Sequence, residues 1–129
     1  MSIQVDIVTP EALFFSGPAN AIYAPGWEGE FGAMPEHERY LALLRAGRLS
    51  LHTPDGEVMY VVGRGFAEIG PDKVTILADS CELAENTDKE KAARDLETAQ
   101  GELNALNQYS PESEPAMAMA ELAQARLDA

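Results

Sequence analysis

The sequence predicts a mainly β protein with an α appendage: an N-terminal antiparallel β-sandwich or barrel, then a C-terminal two-helix hairpin. Three observations predict it. Apolar residues recur with a period of two from Ser2 to about Glu85. Turn-forming clusters ("TPE", "SGP", "APG", "TPDG", "GPDK") punctuate that stretch every few residues. From Thr87 the period changes to that of a helix.

The strands follow in order. Ile3, Val5 and Ile7 alternate with Gln4, Asp6 and Val8. "RLSLHT" sets Leu49 and Leu51 on one face, and "VMYVVG" and "KVTILA" are β-branched and apolar. Asp55-Gly56 predicts a hairpin between "LSLHT" and "EVMYVV", and "GPDK" joins "FAEI" to "VTILA" in the same way. Many short strands with regular turns predict an antiparallel sandwich or barrel. "GRG" at Gly63 to Gly65 lacks a following helix and the glycine spacing of a phosphate loop, so it reads as a bulge or tight corner.

In the second part "TDKE" reads as a capping box, with Thr87 as N-cap and Glu90 reaching back. Ala92, Leu96, Ala99, Leu103 and Leu106 form an a/d seam, and the helix is expected to reach about Gln108. "YSPESEP" breaks it, with Pro111 and Pro115 as punctuation. A second helix, roughly Ala116 to Leu127, presents Met119, Leu122, Ala123 and Leu127 on one side. The division is therefore 1–86 and 87–129. The helical part is near the lower size limit for folding alone, so it needs a surface to dock on. From Asp88 onward it carries four basic residues against nine acidic ones.

Composition narrows the function. The 129 residues suit one domain, or a small domain with an appendage. A formal charge of −13 argues against nucleic-acid and anionic-lipid partners and fits docking on a basic protein surface. A single cysteine, Cys81, excludes an internal disulfide and suggests a reducing compartment. "MSIQVDIVTP" alternates like a strand and is not read as a signal peptide. No apolar run nears the roughly 20 residues that span a bilayer, so no direct membrane insertion is expected. The chain is expected in the cytosol or as the soluble part of a membrane complex.

Candidate chemistry is sparse. His37 has Glu30, Glu36 and Glu38 near it in sequence, but no paired-histidine spacing supports a metal, and the loop reads as solvated and acidic. His52 falls at a polar strand position, and Cys81 reads as a buried or inert thiol. No serine sits in a nucleophile elbow, and no carboxylate lies in a context that raises its pKa. Catalysis is not indicated. "APGWEGEFGAMPEHERYL" reads instead as a turn-rich docking surface, with Trp27 and Phe31 for apolar contact.

The segments "VDIVTPEALFFSG", "APGWEGEFGAMPEH" and "PDGEVMYVVGRGFAEIGPDKVTILADS" together resemble the epsilon subunits of bacterial F-type ATP synthase, called delta in mitochondria. The resemblance spans nearly the whole chain and is strongest in the β part. It implies a ten-stranded sandwich plus hairpin and a non-catalytic rotor role at the cytoplasmic face of the bacterial membrane. The implied partners are the gamma subunit, the c-subunit ring and, through the hairpin, the alpha/beta catalytic head. It implies Glu28 and Glu30 for the ring and His37 for gamma. Some members bind ATP, which implies Asp88, Lys91, Ala92, Arg94 and Arg126 as nucleotide positions. Here Thr87 and Lys91 replace the motif's apolar residue and arginine, and lysine lacks the bidentate fork. At most weak ATP binding is therefore implied, and no other cofactor. Arg126 is the lone cation of the second helix, so weak inhibition of ATP hydrolysis is expected. The competing readings are an ATP-sensing regulatory module and an unrelated β-sandwich that binds a ligand.

Overall fold

Among the described residues ten strands form one hydrogen-bonded sheet that curls into two layers. The computed structural model describes residues 2–33, 39–106 and 111–129. The strands are β1 (Ile3–Val8), β2 (Leu13–Ala19), β3 (Ala21–Gly26), β4 (Gly29–Ala33), β5 (Tyr40–Leu44), β6 (Gly47–Thr53), β7 (Gly56–Val62), β8 (Gly65–Ile69), β9 (Lys73–Ala78) and β10 (Cys81–Leu83). Their order is β10-β7-β6-β3-β5-β8-β9-β1-β2, with β4 paired on β3. The link between β3 and β5 narrows to one bridge, Gly26 to Leu44, which divides the path into two five-strand layers.

The period-two pattern becomes the core. Ile3, Val5 and Ile7 from one layer and Ile22, Leu49 and Leu51 from the other are all at most 1% exposed and belong to one cluster. The antiparallel expectation holds for every ladder but one. β1 runs parallel to β9, with Val5 opposite Val74 and Ile7 opposite Ile76. Local turns cannot signal this pair, because its strands lie at opposite ends of the β segment.

Two turns differ in detail from expectation. In the β6–β7 hairpin Thr53 pairs with Gly56, so the connecting residues are Pro54 and Asp55 rather than Asp55 and Gly56. The Thr53 hydroxyl accepts from the Asp55 N–H at 3.2 Å and donates to the Gly56 carbonyl at 2.8 Å, fixing that frame. The corner predicted at "GRG" joins β7 to β8. A Cβ on Gly65 would stand 1.9 Å from the Leu77 carbonyl oxygen, so only glycine lets β8 approach β9 there.

After a 3-10 turn, Ala84–Asn86, come α1 (Lys89–Ala105) and α2 (Glu114–Asp128). The N-cap of α1 is Asp88, not Thr87: its carboxylate accepts from the Lys91 N–H at 3.0 Å. Thr87 turns back instead, its hydroxyl directed at the Leu83 carbonyl at 3.5 Å. α1 ends with Leu106 as C-cap, and Gln108 lies outside the described residues. Pro115 does not break a helix. It lies in the first turn of α2, where its missing N–H has no intrahelical role.

The helices are antiparallel: Lys89 at the start of α1 donates to the carbonyl of Ala129 at the end of the chain. Of the predicted α1 seam only Ala92 and Ala99 are buried, while Leu96 and Leu103 are half-buried and Leu106 is exposed. In α2 the buried residues are Ala116, Ala123 and Ala125. Met119, placed on the seam by spacing, is exposed. Small side chains let the helices meet closely, and the longer ones are left at the margin.

Candidate docking surfaces

The β3–β4 hairpin carries the first surface. Gly26 pairs with Gly29, which leaves Trp27 and Glu28 at the tip. Gly29 takes φ +129°, a conformation that a side chain would strain. The tip is tied to β5: the Trp27 N–H donates to the Leu43 carbonyl at 3.1 Å, and the Arg45 N–H donates to the Pro25 carbonyl at 3.0 Å. Glu28 and Glu30, the residues matched to the ring, are exposed there together. They share a shallow hollow with Trp27, Phe31, Leu41 and Leu43. His37 lies outside the described residues, so its expected gamma contact has no geometry here.

The second surface was not read from the sequence. On β5, Ala42 and Leu44 point inward while Leu41 and Leu43 point out, 64% and 62% exposed. Register carries the pattern across the layer. Leu43 lies opposite Phe66, Phe66 opposite Leu77, Leu77 opposite Val8, and Val8 opposite Leu13. One apolar row thus crosses five strands on an outer face, with Leu13 at 61% exposure at its end. The next row is Leu41, Glu68, Thr75, Asp6 and Ser16, and it is mostly polar. There the Gln4 amide, the Ser16 hydroxyl and the Lys73 ammonium hold the Asp6 carboxyl below the usual carboxylate value. The only local clue to the apolar row was "YLALL", apolar in both phases of its strand.

The hairpin rests on the opposite layer. Ala46 and Val61 are buried against Ala125, with Leu122 and Ala129 beside them. Polar contacts frame this patch. The Arg64 guanidinium meets Glu121 through Nε at 3.1 Å and Nη2 at 2.8 Å, and its Nη1 meets Glu114. The second Glu121 oxygen accepts from the Ala46 N–H. These carboxylates hold Arg64 above its ordinary pKa. Arg64 was passed over in the sequence as part of a tight corner. Its partners lie 50 and 57 residues away, beyond the reach of any spacing argument.

The positions matched to nucleotide binding are partly brought together, around carboxylates. Asp88 caps α1. Lys91 bonds Asp95 at 2.9 Å, and Arg126 bonds Glu82 and approaches Asp95 at 3.9 Å. Ala92 is buried and Arg94 is exposed. Among the described residues no group of three histidine, cysteine or acidic side chains could hold a metal ion. His52 is half-buried, edge-on to Tyr23 at 5.3 Å and bonded to the Ser50 hydroxyl at 3.0 Å. Burial, with Glu82 beside it, pushes the Cys81 thiol up to about 12, so it stays protonated and unreactive near neutrality. No helix is long and apolar enough to cross a membrane among the described residues.

Residues 2–84 match the family model for the β-sandwich domain of the ATP synthase delta/epsilon chain. The ATP synthase epsilon chain of Anaeromyxobacter sp. (strain K) is 35% identical over 127 residues, covering 98% of this chain and 96% of that one. That of Nitratidesulfovibrio vulgaris (strain DP4) is 40% identical over 103 residues, covering 79% and 76%. A chain in a structure of the Euglena gracilis mitochondrial ATP synthase, which includes the c-ring, superposes with a TM-score of 0.77 at 25% identity, covering 95% of this chain and 78% of its own. A chain from the central stalk and c-ring of the Tetrahymena thermophila enzyme shares the fold, with a TM-score of 0.62 at 13% identity over 98% of this chain and 93% of its own. With the family model spanning the whole sandwich and a relative matched from end to end, the chain belongs to the delta/epsilon chain family of ATP synthase.

Proposed function

We propose that this chain is a non-catalytic part of the central stalk that fixes the gamma subunit to the c-subunit ring, at the cytoplasmic face of a bacterial membrane. The observation that carries the reading is the apolar row Leu43, Phe66, Leu77, Val8 and Leu13. An apolar row that is exposed at Leu43, Phe66 and Leu13 and half-buried at Leu77 and Val8, on an otherwise strongly acidic protein, is a surface suited to cover by another protein. The gamma subunit is assigned to this strip. Glu28 and Glu30 stand at the end of the molecule where β3 turns into β4, and they are assigned to the ring, whose polar loops offer basic and amide partners. Transmitting torque needs a body that does not deform, and a densely packed two-layer core meets that need.

The hairpin is assigned a weak inhibitory role toward the alpha/beta catalytic head. Its second helix has one cation, Arg126, and Glu82 occupies it. The same pairing supports function without a bound nucleotide, since Lys91 and Arg126 are already answered by carboxylates. Calorimetry with millimolar ATP is expected to show no heat.

The test of the main reading is assembly. Leu43→Asp with Phe66→Asp places charge in the strip without touching the core. The folded variant is expected to lose co-purification with gamma, a weakening of at least about tenfold. Retained co-purification assigns gamma elsewhere. Glu28→Lys with Glu30→Lys is expected to leave gamma binding intact and to lower ATP-driven ion pumping relative to hydrolysis.

A further inference from the structure

Arg64 does two things at once. It bonds Glu114 and Glu121 of α2, and its guanidinium carbon lies 5.2 Å from the centroid of the Trp27 ring. Trp27 is the single tryptophan, at the tip of the β3–β4 hairpin and 48% exposed. The guanidinium therefore stands between the exposed β3–β4 tip and the helix that rests on β6 and β7 of the same layer. The ion pair is shielded, with the side chains of Arg64 and Glu121 22% and 13% exposed. A cation over an aromatic ring gains more as water is removed from the pair.

We propose that Arg64 couples the β3–β4 tip to the hairpin, so that the placement of Trp27 sets how tightly α2 is held on the sandwich. The ring orients the fork, the fork holds Glu121, and Glu121 holds the β5–β6 turn through the Ala46 N–H. Arg64 is a positioning residue. Because coupling between sites is reciprocal, hairpin release must also change the surroundings of Trp27. A partner that covers the tip shields the pair and tightens the hairpin. That consequence rests on the ring assignment above, whereas the coupling within the chain does not.

The test uses the full chain alone, so its failure leaves the assembly experiments standing. Amide exchange of α2 is compared in the wild type, Trp27→Leu, Glu121→Gln and the double variant. Glu121→Gln keeps an acceptor for the Ala46 N–H and removes the charge facing Arg64. Trp27→Leu is expected to speed α2 exchange about threefold in the wild-type background, with strand protection unchanged, and to have no effect beside Glu121→Gln. Trp27→Phe, which keeps a ring under the guanidinium, is expected to restore most of the protection. Unchanged α2 exchange in Trp27→Leu, or an equal acceleration in both backgrounds, overturns the proposal. A second readout needs no change at position 27. The emission of Trp27 is expected to shift in Glu121→Gln, and an unshifted spectrum overturns the proposal as well.

Discussion

In the sandwich the fully buried side chains include many large branched ones, among them Ile7, Ile22, Leu44, Leu51 and Ile76, whereas the buried positions of the described helices are all alanines apart from Ser113 at the N-cap of α2. Burying an isoleucine or leucine stabilises by roughly 1.5–3 kcal/mol, and an alanine methyl by well under half of that. The helices compensate with ion pairs to the sandwich: Arg64 with Glu114 and Glu121, and Arg126 with Glu82. Such pairs are specific in geometry yet modest in net energy. The two regions are built for different tasks. One is held by dense burial of large side chains, and the other by small side chains and ion pairs that cost less to break.

The contrast can be broken most sharply in the core. Leu51→Ala removes a side chain that is 0% exposed, and it is expected to destabilise the whole sandwich by about 2–5 kcal/mol in urea unfolding. A small change there would mean the sandwich is not the rigid partner. Ala92→Leu overpacks the helix pair at a fully buried site, with an expected cost of about 1–3 kcal/mol. That loss is expected in helix exchange rates and not in strand protection. Loss in both would make the molecule one cooperative unit. Asp88→Ala removes the α1 cap and is expected to cost about 1 kcal/mol, read as faster exchange in the first turn of α1.

The smallest effect concerns acid. The Asp6 carboxyl is held low by the Gln4 amide first, then by Ser16 and Lys73. Its stabilisation is fully present above the ordinary carboxylate value of about 4 and is lost as pH falls through the lowered native value. Asp6→Asn is therefore expected to weaken the sandwich near neutrality and to match the wild type in strong acid. A difference that persists in strong acid would point to lost packing instead.

What was legible in the sequence was local. Alternation placed Ile3, Val5 and Ile7 in the core, and turn residues placed the β6–β7 and β8–β9 connections. The change of period placed both helices, with ends displaced by a few residues. Within the turns and caps, the errors came from near-equivalent donors and acceptors: Asp88 displaced Thr87 as cap, and Thr53 moved the hairpin frame by one residue. These choices depend on hydrogen bonds that only the folded backbone selects.

Alternation and turn chemistry, acting over a few residues, are what the sequence by itself determined: a sandwich-type β segment, a helical pair, and the glycine-shaped acidic tip that bears Glu28 and Glu30. Tertiary structure alone decided which strands distant in the chain became neighbours. The parallel pairing of β1 with β9 joins Leu77 to Val8 and thereby extends one apolar row across five strands. The meeting of Arg64 with Trp27, Glu114 and Glu121 has the same origin. Adjacency between distant segments is set by how the whole chain buries its apolar faces, and no local pattern carries that information.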